Sequence, residues 1–418
     1  MMARRIRSLL ALALGAALLA GCTATGPPEP QEHGVLPFDG ETAVDWSALP
    51  VAAFAEYEEV RELTVGAGRL WALAVRDAEA EQVEPGLFSS VDGAAWEAVD
   101  LAGLGIPPLF EALPLLAGDA ERIAVIFRQP VGGDDAPAVL VGQCAGDELD
   151  WVVTAPGDFA PWQLRDQRGL VHIPRHIGGA AWAGDTLVMI AAAQYRLPGA
   201  PGSVPTTDES FGVLRLGPDG AQRLADSGEP LGGEALLSTG SELIPVLAEG
   251  GTVRFYAGTA HGSGQRHLTE WSSTNAGLSW QARVIETPGT PWVNVHEAAA
   301  GPGGTVVVGS NDGQGLIAST GDGTAWQFHA VPEALWFERV LAGESGTYAL
   351  PFREAGQQLQ RIWHSVDDVE WAPLDGGFDE GRITAAVALP GGLLVAVDTT
   401  LHYTGVLPPL ALSSSPVE

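Results

Sequence analysis

Apolar positions along this chain come in short, dense runs. ELTV at Glu62 to Val65, LWALAV at Leu70 to Val75, GLFSS at Gly86 to Ser90, ITAAVAL at Ile383 to Leu389 and LLVAV at Leu393 to Val397 each have a Gly, Pro or Asp within two residues of at least one end. Runs of this length between turn-forming residues read as strands, and no stretch carries the 3.6-residue period of a long amphipathic helix. The 54 Gly and 30 Pro in 418 residues fit many short strands and tight turns. One closed all-β domain accounts for this better than two α/β domains.

A turn with a fixed recipe recurs between these runs: SVDGAAW at Ser90 to Trp96, STNAGLSW at Ser273 to Trp280, TGDGTAW at Thr320 to Trp326 and SVDDVEW at Ser365 to Trp371. Asp92, Asn275, Asp322 and Asp367 are placed to accept backbone N–H groups one or two residues on, as in an Asx turn. Gly93, Gly277 and Gly323 supply positive φ, and Asp368 stands at that place in the last copy. Each Trp opens the outgoing strand, where its ring can cover a junction. AGDELDW keeps only Asp147 and Trp151. These residues resemble the Asp-box, or bacterial neuraminidase repeat, SxDxGxTW with a shorter SxDGxxW form. The resemblance implies β-propeller blades, as in sialidases, sortilin-like receptors, some glycoside hydrolases and a photosystem II assembly factor, and leaves function open.

Read as four-strand meanders with the repeated turn between the third and fourth strands, the chain divides into blades. The first runs from about Glu59 to Asp100, the second from Leu113 to Thr154 and the third from Val171 to Ala225, where a PDG hairpin replaces the turn; the next three close at Trp280, Trp326 and Trp371. After Trp371 only three strands remain, and VDWSALP around Trp46 resembles the missing fourth, WQFHAVP. The expectation is a seven-bladed β-propeller over residues 42–405 whose last blade is closed by the N-terminal strand, with six or eight as neighbouring counts. Residues 406–418 form a tail.

In such a blade the first and third turns share one face, so the repeated turns lie together. The long segments Asp77 to Pro85, Gln129 to Ala136, Gln194 to Ser210, Gly258 to His267 and Arg353 to Gln358 fall on the other, the loop face.

The first residues set the address. Arg4, Arg5 and Arg7 precede an apolar run from Leu9 to Leu19, and Leu19-Ala20-Gly21-Cys22 looks like a bacterial lipobox. Residues 1–21 would then be a signal peptide and Cys22 the lipidated residue, placing the protein at the extracytoplasmic face of the cell membrane. The Pro-rich, polar residues 22–41 read as a tether. Cys144, among apolar neighbours, reads as a small core residue.

All 21 basic residues are Arg, against 52 acids, for a net charge of −31. Loss of Arg4, Arg5 and Arg7 with the signal peptide takes this to −34. Such a surface repels nucleic acid, which is excluded as a general partner.

The second strand ends in Arg in four blades, at Arg76, Arg128, Arg196 and Arg353. Gathered at the loop face, these guanidinium groups would receive a carboxylate, phosphate or sulfate; paired with neighbouring acids such as Asp77, Asp134, Asp135 and Glu354, they would only keep the rim soluble. Tyr195 is the one Tyr expected at a loop-face strand end. The resemblance to sialidases implies an Arg cluster, a Tyr nucleophile assisted by Glu, an acid/base Asp and a Phe-Arg-Ile-Pro motif. Here the nearest string, VHIPRH, puts His172 where that Arg belongs and Arg175 after the Pro, so the catalytic set does not carry across. Pro174 between His172 and His176 disfavours the helix that would make them a metal pair. No metal or other cofactor is expected. The reading is a binding or scaffold module for a protein or glycan at the loop face, with a diverged sialidase-like or other glycoside hydrolase as the alternative.

Overall fold

LWALAV is apolar at every position because the strand it forms, Arg69–Val75, is buried on both sides. Leu70, Ala72 and Ala74 enter one cluster and Trp71, pointing the other way, enters another. A single half-exposed sheet would show alternation; a sheet sandwiched between two others shows a continuous run. Burial of each such Leu or Val contributes on the order of 2 kcal/mol. The computed structural model describes residues 34–35, 42–43, 46–49, 51–76, 84–106, 114–127, 139–145, 148–154, 164–165, 171–196, 207–217, 220–223, 236–237, 244–261, 265–289, 291–352, 361–375 and 382–404.

The strands form seven antiparallel sheets of the expected meander type. Blade 1 comprises Glu59–Gly66, Arg69–Val75, Pro85–Ser90 and Glu97–Ala98. Blade 2 comprises Leu115–Gly118, Arg122–Ile126, Val139–Ala145 and Glu148–Thr154. Blade 3 holds the long strands Val171–Ala183, Thr186–Arg196 and Thr207–Gly217 and the short outer Gly220–Arg223, with Leu164–Arg165 paired to the start of the first. In blade 4 the inner strand is split, because Leu236–Leu237 and Val246–Glu249 both pair with Thr252–His261 before Gln265–Ser273 and Gln281–Ile285 follow. Blade 5 is Val293–Gly301, Gly304–Asn311, Gln314–Thr320 and Gln327–Val331; blade 6 is Phe337–Gly343, Gly346–Pro351, Ile362–Ser365 and Ala372–Asp375.

Blade 7 takes Ile383–Leu389, Gly392–Val397 and Thr400–Thr404 from one end of the chain and Trp46–Leu49 from the other, with Trp46 opposite Thr404 and Leu49 opposite Leu401. The N-terminal strand therefore closes the ring as its sequence implied. The inner strands of blades 7 and 1 lie side by side, as do those of the other successive blades.

There is no single core. Seven apolar clusters sit at the seven blade junctions, each built from two neighbouring blades. The Trp residues of the repeated turns face the junction with the preceding blade: Trp96 packs on Phe54 in the cluster shared with blade 7, Trp151 meets Trp71 of blade 1 edge-on at 5.8 Å, and Trp326 lies 6.0 Å from Tyr256 of blade 4. Trp280 and Trp371 occupy the corresponding clusters of blades 4 and 6.

Residues 22–41, expected to be a tether, are not free throughout. Gly34–Val35 pairs in parallel with the outer strand of blade 5, and Thr42–Ala43 does the same on blade 6. The physical reason is that the outer strand of a blade leaves unpaired N–H and C=O groups, which these dipeptides satisfy.

Candidate functional site

The repeated turns are self-contained. Asp92 Oδ1 accepts from the backbone N–H of Ala94 at 2.8 Å and of Ala95 at 2.9 Å, two and three residues on, one further than expected. Asp367 does the same for Val369 and Glu370, and Asp322 for Thr324 and Ala325. These backbone donors hold the Asp92 and Asp367 carboxyls below the usual carboxylate range. Asp322 is held lower still, first by the Thr324 hydroxyl and then by the backbone of Ala325 and Thr324. Asn275 Oδ1 accepts the Ser279 N–H in the same way without a charge. Ser90 Oγ accepts from Gly93, and Ser273 Oγ from Gly277. Gly93, Gly277, Gly323 and Asp368 have φ between 63° and 82°. Asp368 offsets its backbone cost by accepting the Gly303 N–H of blade 5 at 2.7 Å. These acids are occupied with geometry, and the contact to Gly303 confirms that first and third turns share a face.

The other mouth of the lumen carries the chemistry. Inner strands of four blades each contain a β-bulge at a matching place near their loop-face end, at Arg61, His296, Glu338 and Thr384. A bulge sets two consecutive residues against one on the partner strand and so turns a pair of side chains inward. The pairs are Arg61–Glu62, His296–Glu297 and Glu338–Arg339, all half-buried between fully buried neighbours.

Arg339 of blade 6 reaches past blade 7 to blade 1. Its Nη1 and Nη2 donate to Glu62 Oε1 and Oε2 at 3.0 and 3.1 Å, and Nη2 also donates to the Arg61 carbonyl. This bidentate bridge crosses the lumen. Desolvation alone would lower the Arg339 pKa, but the carboxylates of Glu62, Glu297 and Glu338 outweigh it and raise it. Burial pushes the Glu297 carboxyl up to about 7, with Glu62 and Glu338 adding repulsion and Arg339 opposing. Burial likewise lowers His296, against the pull of Glu338. Arg61 is lowered by burial and by nearby Arg382.

An aromatic wall adjoins these charges. Arg382, ion-paired to Glu338 at 3.5 Å, lies over Phe352, which stacks on Trp336 at 4.3 Å; Trp336 in turn faces His296 at 6.3 Å. Arg61 and Arg382 keep 32% and 40% of their side-chain surface exposed. The mouth thus offers guanidinium donors, carboxylates and a flat apolar surface, a set that suits a polar ligand with hydroxyl or anionic groups.

Of the four Arg residues singled out from the sequence, Arg76 alone has a described side chain. Arg76 sits on the outer rim, paired with Glu56 at 3.2 Å and Glu84 at 2.9 Å and lying over Tyr57. Tyr195 and Arg196 end the second strand of blade 3, opposite Asp208 and Thr207, but their side chains lie outside what is described. Arg128, Arg353, Asp147 and Cys22 lie outside the described residues altogether. His172 and His176 fall in an extended strand interrupted by bulges, as Pro174 implied. No group of three or more His, Cys, Asp or Glu among the described residues is placed to hold a metal ion.

The bulge pairs carried a signal that strand alternation hides. VRELTVG, VHEAAAG and FERVLAG each set two adjacent polar residues inside an apolar inner strand.

Together the ring and its lumen define the class: a seven-bladed β-propeller with an ionic and aromatic cluster at one mouth. No family model and no curated protein matches the sequence. Among solved structures the chain is similar to the GH74 xyloglucanase from Xanthomonas campestris, with a TM-score of 0.49 and 15% identity over 89% of this chain and 55% of that one. It is also similar to the β-propeller domain of the Trilobed protease from Pyrococcus furiosus, with a TM-score of 0.47 and 9% identity over 86% of this chain and 100% of that one. Trypanosoma rangeli sialidase in complex with the inhibitor DANA gives a TM-score of 0.42 and 11% identity over 91% of this chain and 60% of the sialidase. At such identities the likeness concerns the fold alone, and the chain spans less than two thirds of the xyloglucanase and of the sialidase.

Proposed function

We propose that this protein is a lipid-anchored, extracytoplasmic β-propeller that binds a protein or glycan partner at its loop face. The observation that carries the reading is the cluster at the lumen mouth, where Arg61, Arg382 and Glu338 stand beside Trp336 and Phe352. The Asp-box acids, engaged by their own turns on the opposite face, are poor candidates for ligand contact. The anchor rests on the lipobox at Leu19 to Cys22. A net charge of −31 speaks against nucleic acid as a partner.

The test is a glycan and surface-protein binding screen of the purified protein against its Arg382→Ala and Trp336→Ala variants. The expected outcome is a ligand retained by the wild type and weakened about tenfold or more by either change, the scale of losing a contact of some 1.4 kcal/mol. Unchanged binding in both variants would move the site elsewhere. Metabolic labelling with a fatty acid should mark the wild type and leave Cys22→Ser unlabelled.

A second reading, a glycoside hydrolase, is favoured by Glu297. A carboxyl poised near pH 7 beside Glu62 and Glu338 has the environment of a general acid with carboxylate partners. Turnover of a fluorogenic glycoside panel, abolished by Glu297→Gln, would establish it and displace the binding-only reading.

A further inference from the structure

Three outer edges in succession are joined by N-terminal segments, and all three run in the same sense. In blade 5 Gly34 lies opposite His329 and Val35 opposite Ala330, parallel to the strand Gln327–Val331. In blade 6 Thr42 lies opposite Leu374 and Ala43 opposite Asp375, again parallel. In blade 7 Trp46–Leu49 is the outer strand itself, antiparallel to Thr400–Thr404. The outer strands of blades 5 and 6 each leave a repeated turn and climb toward the loop face, so their parallel companions also enter from the turn side. At Gly34 the backbone direction therefore points back toward the turn face.

We infer that a lipid on Cys22 holds the turn face toward the bilayer and displays the lumen mouth with Arg382 and Trp336 away from it. The inference rests on the lipid-anchor reading. Cys22 lies twelve positions before Gly34, a separation the extended chain spans in at most about 40 Å. Facing the membrane with the loop side would require that segment to reverse direction and climb past Ala330 and Val331, whereas the turn side lies straight ahead of it.

The turn face is suited to a neutral headgroup layer. Val91, Leu278, Val366 and Val369 sit at the tips of three of its turns with 44% to 68% of their surface exposed. Large apolar side chains at turn tips lose unfavourable water contact at a membrane interface. The acids of those turns, Asp92 and Asp367, disfavour an anionic leaflet, which selects zwitterionic lipid as the surface.

The test uses the chain from Cys22 to Glu418, which contains every described element, with Cys144→Ser so that Cys22 is its only thiol. Cys22 is coupled to maleimide lipid in phosphatidylcholine vesicles, and an azide residue carrying a dye is installed at Ala325 on the turn face or at Glu333 on the loop face of the same blade. Ala94, on another turn, provides a second turn-face site. Spin-labelled lipid should quench the dyes at Ala325 and Ala94 several-fold more than the dye at Glu333. Equal quenching at the two faces, or stronger quenching at Glu333, would overturn the orientation. Mass spectrometry of the protein extracted from its own membrane reports separately on the anchor: an unmodified Cys22 would sink that reading while the vesicle result still stands or falls by itself.

Discussion

Asp368 occupies a place where its counterparts are Gly, at φ 63°, and is almost wholly buried. Its carboxylate holds the Gly303 N–H of the neighbouring blade, so Asp368→Ala loses a charged hydrogen bond and keeps a conformation that L residues resist. A destabilisation of about 2 kcal/mol follows, read as a lower urea midpoint at unchanged slope. Asp92 and Asp367 test the electrostatics of the turns. Their carboxyls are depressed in the folded state, so their contribution is present above the ordinary Asp range and is lost as pH falls through the folded values. The double change Asp92→Asn and Asp367→Asn, which copies Asn275, should therefore cost thermal stability near neutrality and cost progressively less in acid. A gap in Tm that stays constant with pH would refute this. The turns were legible because their bonds are local: acid, glycine and Trp lie within eight residues of one another.

At the level of strands, the cross-lumen bridge makes the sharpest claim. Arg339→Ala leaves Glu62 facing Glu297 and Glu338 without its guanidinium partner, and should cost about 2–3 kcal/mol; adding Glu62→Gln should recover part of that loss, giving a non-zero coupling in a double-mutant cycle. Glu297 gives a pH signature of opposite sign to the turn acids. Its carboxyl moves from an ordinary 4.5 to about 7 on folding, so between those values the folded chain holds a proton that the unfolded chain has released. Stability from this group is complete below about pH 4.5 and falls away as pH rises through 7, by on the order of 2 kcal/mol after allowing for solvent screening. Comparing Tm against pH for the wild type and Glu297→Gln checks it, with the variant expected to lack that decline. The strands were readable from sequence because burial on both faces produces unbroken apolar runs such as LWALAV. The bulge pairs left a trace, two adjacent polar residues in an apolar run, but a bulge itself exists only relative to a partner strand, and Arg339 and Glu62 meet through ring geometry that spans two blade junctions. The dipeptides on blades 5 and 6 were hidden for a related reason: backbone pairing with an exposed edge leaves little mark on side-chain pattern.

For the molecule as a whole, stability depends on closure. With seven junction cores and no central one, an open arc would expose two apolar blade faces and the unpaired edge of Thr400–Thr404. Deleting residues 1–49 should lower Tm and produce concentration-dependent self-association by light scattering, whereas deleting residues 406–418 should do neither. The closing strand is also made before every other strand of the four-strand meanders. Trp46–Leu49 finds its partner, Thr400–Thr404, only after the strands of all the other blades have been made, so until then the growing chain is an unlatched arc. Completion is thereby coupled to the fold: a product cut short before Thr400 lacks the strand on which Trp46–Leu49 latches and stays an open arc with an unpaired edge.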